Sequence, residues 1–296
     1  MNLTHLPIIS TLSDCITITQ KDQLKIIHIQ HPKAEAAISL FGGHVISFKP
    51  QGEQDLIFTS EDAICDGKTP LRGGIPVCWP WFAKASEPSH GFARTTEWSL
   101  VEHRENEDGV MVRIELKPSQ ETLAIWPHQF EVFLDVEVSE QLTTTMHIKN
   151  TDEQAWKFSG ALHTYFNIAN ILDTKITGMG EHYIDKLQSG KICLGGDTLS
   201  ITSGVDRVYT HPTKQICISD PQNQRTISVE NQGDTAAVIW NPWELAQGMV
   251  DMKDDAYANM VCVESTLYAE TLDDGHSLEP GESYLLSTKI GLKAIY

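Results

Sequence analysis

The chain lacks the features that most quickly assign a function. Its six cysteines, at positions 15, 65, 78, 193, 217 and 262, include no CxxC pair, which argues against zinc ribbons and thioredoxin-type chemistry. Those in apolar runs such as QICISD and MVCVES read as small hydrophobes with free thiols. No stretch reaches the roughly 20 apolar residues needed to cross a bilayer, and MNLTHLPIISTLSDC has no basic region followed by an apolar segment. Unpaired thiols and the lack of an address predict a cytoplasmic protein. Positive charge is scarce: 22 Lys and Arg face 40 Asp and Glu, for a formal net charge of -18. Such a field repels polyanions, so neither nucleic acid nor an anionic membrane surface is expected as a partner. There is no GxxxxGK[ST] loop, no GxGxxG after a strand, no GxSxG elbow and no HExxH pair. Nucleotide binding and serine hydrolysis therefore lack support, and neither a cofactor nor a metal is expected.

What remains is an ordinary globular composition, 41% hydrophobic and 21% charged, well away from the low hydrophobicity of disordered chains. The 296 residues suffice for a sizeable core, and no repeat or Pro, Gly or Ser-rich linker divides them. One domain over 1–296 is expected. ITITQ, LKIIHIQH, AAISLFGGHVISFKP, DLIFTS, EWSLVEHR, GVMVRIELK, FEVFLDVEVS, LTTTMHIKN, GDTAAVIW and ESYLLSTKIGL read as short strands, many with period-2 alternation. Only SQETLAI and DDAYANM have helical potential. Many short strands with little helix predict an all-β sandwich or barrel built of antiparallel sheets. Gly42-Gly43 marks a bulge or tight bend. His44 beside it either faces a site or is a hydrogen-bonded structural histidine, and the second reading is preferred because buried polar groups are usually satisfied.

The segment from Leu71 to Arg94, LRGGIPVCWPWFAKASEPSHGFAR, is too rich in Gly and Pro for a regular strand or helix. It gathers Trp79, Trp81, Arg72, Arg94 and His90. Flat apolar faces beside charged donors suit a sugar ring carrying an anion. A structural loop whose tryptophans fill the core is the alternative. Two further ionisable residues sit alone in apolar or aromatic runs, His163 in ALHTYF and Glu264 in VCVE. A core histidine and the solvated end of a strand are their ordinary readings.

GGIPVCWPWF with HGFAR, ALHTYFNI at 161–168, GVDRVY at 204–209, WNPW at 240–243 and VCVE at 261–264 together resemble, in order, the glucose-6-phosphate 1-epimerase branch of the aldose 1-epimerase superfamily. Ala83 departs from the pattern, where WPWF is expected to be followed by glycine. The resemblance implies a galactose mutarotase-like β-supersandwich and an isomerase that interconverts sugar anomers by two proton transfers. It implies Glu264 as general base toward the C1 hydroxyl and His163, as a protonated imidazole, as general acid toward the ring oxygen. It also implies Asp206 as an acceptor for sugar hydroxyls and Arg72 and Arg94 as the phosphate side, with His90 contacting a hydroxyl or phosphate oxygen. Trp81 and Trp240 are expected to contact the ring; of Trp240 and Trp243, at least one is expected to pack in the core. The expected partner is a small sugar phosphate, and the expected assembly a monomer or weak homodimer.

Overall fold

The computed structural model describes residues 1–293. Every ladder between its strands is antiparallel. Five consecutive strands from Ile8–Thr11 to His44–Pro50 pair in chain order, while the rest divide mainly between a nine-stranded and an eight-stranded sheet. The nine-stranded sheet shows the alternation expected of one buried and one solvated face: Gly109–Leu116 buries every second residue, as does Gln215–Asp220. Its inward side chains, among them Ile114, Leu134, Val136, Ile218, Val229 and Ile290, join one core cluster with Ile239, Val261 and Val263 of the eight-stranded sheet. Each such side chain contributes about 1.5–3 kcal/mol on leaving water. The expected antiparallel β-sandwich is thus the observed architecture.

Strand Met260–Leu267 is buried at all eight positions. It lies in the middle of the eight-stranded sheet, between Ala236–Asn241 on one side and Gly160–Leu162 with Tyr165–Asn167 on the other. Val261 and Val263 point into the sandwich core. By the two-residue period of a strand, Cys262 and Glu264 point to the other face.

Several details differ from, refine or match the sequence reading. DLIFTS forms no strand; Ile57 and Thr59 make single bridges to Phe166 and Gly73. The Asp55 carboxylate takes the N–H groups of Phe48 and Ile57 that a ladder would otherwise use. Of the two helical candidates, Gln120–Ile125 is an α-helix with a capping box between Ser119 and Thr122, whereas Ala256–Asn259 is one turn of 3-10 helix. The short strands His182–Asp185, Lys191–Leu194 and Thr198–Ser200 have no counterpart in the sequence reading, being too short to display a period. Gly42 and Gly43 turn the chain into strand His44–Pro50 with φ of +83° and +57°. His44 is buried, with Nε2 2.7 Å from the Gly73 carbonyl, the structural reading preferred above.

Candidate active site

On the eight-stranded sheet, register assembles the site. Asp206 lies opposite Trp240, Trp240 opposite Cys262, and Cys262 opposite Tyr165. One pleat further on, Val208 lies opposite Val238 and Val238 opposite Glu264. Two short strands, Gly160–Leu162 and Tyr165–Asn167, pair with opposite ends of Met260–Leu267, and His163 falls in the gap between them. There its backbone N–H donates to the Pro76 carbonyl at 3.0 Å, and the imidazole Nε2 comes to 3.3 Å from Glu264 Oε1. The His163 ring stacks on Tyr165, centroids 5.0 Å apart and planes 14° from parallel.

The segment from Leu71 to Arg94 forms the opposite wall of a cavity of about 450 Å³ lined by Arg72, His90, Arg94, His163, Asp206, Trp240 and Glu264. The tryptophans anchor this segment from beneath. Trp79 is fully buried and packs edge-on against Phe92, Trp126 and Phe130, centroids 5.7, 5.3 and 4.7 Å away. Trp81 is only 1% exposed and its indole N–H donates to the Pro88 carbonyl at 2.7 Å. The expected contact of Trp81 with substrate is therefore corrected: the indole faces the core, because its N–H closes the loop on itself. At Gly91, φ is +68° and an added Cβ would stand 2.2 Å from the Trp79 carbonyl oxygen. Only glycine lets the two ends of the loop approach so closely.

The turn carries His90 in a defined state. The Ala83 N–H donates to His90 Nδ1 at 3.3 Å, and the His90 N–H donates back to the Ala83 carbonyl at 2.7 Å. A neutral ring whose Nδ1 accepts carries its hydrogen on Nε2. Burial, with Arg94 and Arg72 nearby, pulls the His90 pKa down to about 3. Ala83 itself sits at φ +50°, in the left-handed region where glycine is expected.

The arginines are held at their edges. Arg72 donates through Nε to Asp251 at 3.2 Å and through a terminal nitrogen to the Tyr165 hydroxyl at 3.2 Å. Arg94 donates to the Ser89 carbonyl at 2.9 Å, while its buried Nε has no partner among the described residues. The same is true of His163 Nδ1 and Glu264 Oε2. Burial, with a smaller contribution from Asp206, holds the Glu264 carboxyl well above the usual range. Burial, then His90 and Arg94, hold His163 well below its ordinary value. Both shifts favour the uncharged form of the group. Donor atoms of His163, Cys262 and Glu264 come within 4.8 Å of one another. The neighbouring guanidiniums and a Cys262 thiol that burial pushes well above its ordinary pKa oppose a cation there.

Seven of the eight residues singled out in the sequence thus line one cavity; Trp81 does not. Trp243 packs on Tyr257, centroids 5.0 Å apart. Sequence reasoning missed Tyr165, although it lies only two residues from His163, on whose ring it stacks. It also missed Lys186, which donates to Glu270 at 2.9 Å and to the Tyr268 hydroxyl at 3.3 Å on the cavity rim. Nothing local in the sequence marks Lys186, since its neighbours come from 82 and 84 residues away.

No described helix is long and apolar enough to cross a membrane. The chain is 36% identical over 271 residues to an Escherichia coli K12 protein provisionally named glucose-6-phosphate 1-epimerase, covering 90% of this chain and 91% of that one. A plant relative with the same provisional name, from Cenchrus ciliaris, is 34% identical, with 88% and 81% covered. Among solved structures, the provisionally named mutarotase YeaD of Salmonella typhimurium superposes with a TM-score of 0.92 at 34% identity, covering 98% of this chain and 97% of that one. The family model described as aldose 1-epimerase matches residues 25–291, and the chain accordingly belongs to the aldose 1-epimerase family as a mutarotase-type isomerase.

Proposed function

We propose that this protein interconverts the α and β anomers of hexose 6-phosphates, glucose 6-phosphate foremost. The observation that carries the reading is that Glu264, His163 and Arg94 line one cavity and each keeps a buried polar atom, Oε2, Nδ1 and Nε, without a partner among the described residues. An acid/base pair beside guanidiniums suits a sugar bearing an anion. The names of the relatives point the same way.

In this reading Glu264 removes the proton from the C1 hydroxyl while His163 protonates the ring oxygen, and the C1–O5 bond opens to the aldehyde. Rotation about C1–C2 and closure with the transfers reversed give the other anomer. Burial, which raises the Glu264 pKa, makes its carboxylate a stronger base. Arg72 and Arg94 hold the phosphate, since guanidinium forks offer parallel donors to its oxygens. His90 presents an Nε2–H, Asp206 accepts from sugar hydroxyls, and Trp240 offers an apolar face.

The test is the anomer exchange rate measured by NMR with glucose 6-phosphate and with glucose. Much stronger acceleration of the phosphorylated sugar is expected. Equal acceleration of both would remove the phosphate assignment, and acceleration of neither would remove the reaction.

A further inference from the structure

Tyr165 belongs at once to both halves of the cavity. Its ring lies flat on His163, 5.0 Å away, and its hydroxyl accepts from Arg72 at 3.2 Å. Only 3% of the residue is exposed, so neither contact is exchanged for water. His90 completes the link from the other wall, its ring centroid 5.6 Å from that of His163. We propose that Arg72, Arg94, Tyr165 and His163 act as one coupled unit, in which an oxyanion seated on the arginines activates His163 as the acid rather than merely anchoring the substrate. This deepens the function proposed above and rests on it for the identity of the anion, the phosphate of the sugar.

The charges around His163 come from every side. The wall segment presents Arg72, His90 and Arg94, the central strand Glu264 and Cys262, strand Val205–Tyr209 two places away Asp206, and the strand that follows His163 Tyr165. After burial, charge on the wall segment holds His163 down, and because His90 is itself neutral that charge is carried by Arg94 and Arg72. Glu264 answers to different causes, burial and Asp206. A dianion seated on Arg72 and Arg94 cancels guanidinium charge that opposes protonation of His163. Burial favours the uncharged form of each partner, a carboxyl at Glu264 and a neutral imidazole at His163. With the anion bound, the carboxyl proton passes across the 3.3 Å between Glu264 Oε1 and His163 Nε2, leaving carboxylate and imidazolium. Nothing is taken from or lost to solvent. The pair then has the base and the acid that ring opening requires. Tyr165 is a positioning residue here: it fixes the imidazole plane and the Arg72 fork in one frame.

The experiment supplies the anion separately from the sugar. Inorganic phosphite is added to glucose, and the anomer exchange rate is followed by NMR alongside the ¹⁵N resonances of the His163 ring. Phosphite should raise kcat/KM for glucose at least tenfold, saturably, and shift the His163 nitrogens toward imidazolium. Arg94→Ala should show neither effect, and Tyr165→Phe should require several-fold more phosphite for both. The high-pH limb of kcat, where the acid loses its proton, should lie at higher pH for glucose 6-phosphate than for glucose. Phosphite that only inhibits glucose turnover, or leaves the His163 nitrogens neutral, overturns the coupling. Should the protein accelerate neither sugar, the proposed reaction fails by itself. The phosphite titration of His163, compared with that of Tyr165→Phe, still decides the coupling.

Discussion

Glu264 is 1% exposed and keeps one carboxylate oxygen without a partner, an arrangement that costs stability unless a ligand completes it. Glu264→Gln should lower turnover by about 10²-fold or more while sugar binding persists; a variant with full activity would sink the assignment. A gain in folding stability is also expected, because the buried ionisable group is removed. Ala83 illustrates a second residue-scale cost. It occupies φ +50°, where an L side chain is strained by roughly 1–2 kcal/mol, partly offset by the flexibility that glycine brings to the unfolded chain. Ala83→Gly should stabilise the protein by up to about 1 kcal/mol in denaturant unfolding. Destabilisation instead would mean that the Ala83 methyl, packed against the Phe82 and Val208 cluster, outweighs the strain.

The strands explain why neighbours in sequence do different work. Ile239 belongs to the sandwich core and Trp240 to the cavity, one residue apart on strand Ala236–Asn241. Ile239→Ala should cost about 2–5 kcal/mol of stability and leave KM nearly unchanged. Trp240→Ala should raise KM with a smaller loss of stability. Urea titration and steady-state kinetics on both variants separate the two faces, and a matching profile for the two would contradict the register. The same alternation places Asp206, Trp240, Cys262 and Tyr165 in one row across four strands. Neither the alternation in these short or wholly buried strands nor which of them are neighbours was legible in the sequence. Lys186 shows the limit most clearly: its partners Tyr268 and Glu270 are joined to it only by the fold.

Across the whole molecule, buried neutral histidines make stability depend on pH. The His44 pKa is lowered to about 4, chiefly by burial. The unfolded chain takes up this proton near pH 6.5 and the folded chain only near 4, so the contribution is complete above about pH 6.5 and is lost as pH falls through that window, on the order of 3 kcal/mol. The stability difference between the wild type and His44→Gln should therefore shift against the wild type between pH 7 and pH 4. Chemical unfolding across that range checks it, and a difference independent of pH would mean that His44 titrates normally. At this scale the sequence by itself determined the class of architecture and one wall of the cavity: strand alternation specified an antiparallel sandwich or barrel, which the family resemblance narrowed to the sandwich, and the Gly and Pro content of 71–94 marked a shaped loop carrying Arg72, His90 and Arg94. Only the tertiary structure decided that Trp81 supports that loop from the core, that Tyr165 bridges Arg72 to His163, and that burial holds the His163 pKa down. Periodicity and turn chemistry are local and can be read along the chain. Burial, hydrogen-bond partners and electric field are set by groups distant in sequence, and exist only once the sheets have packed.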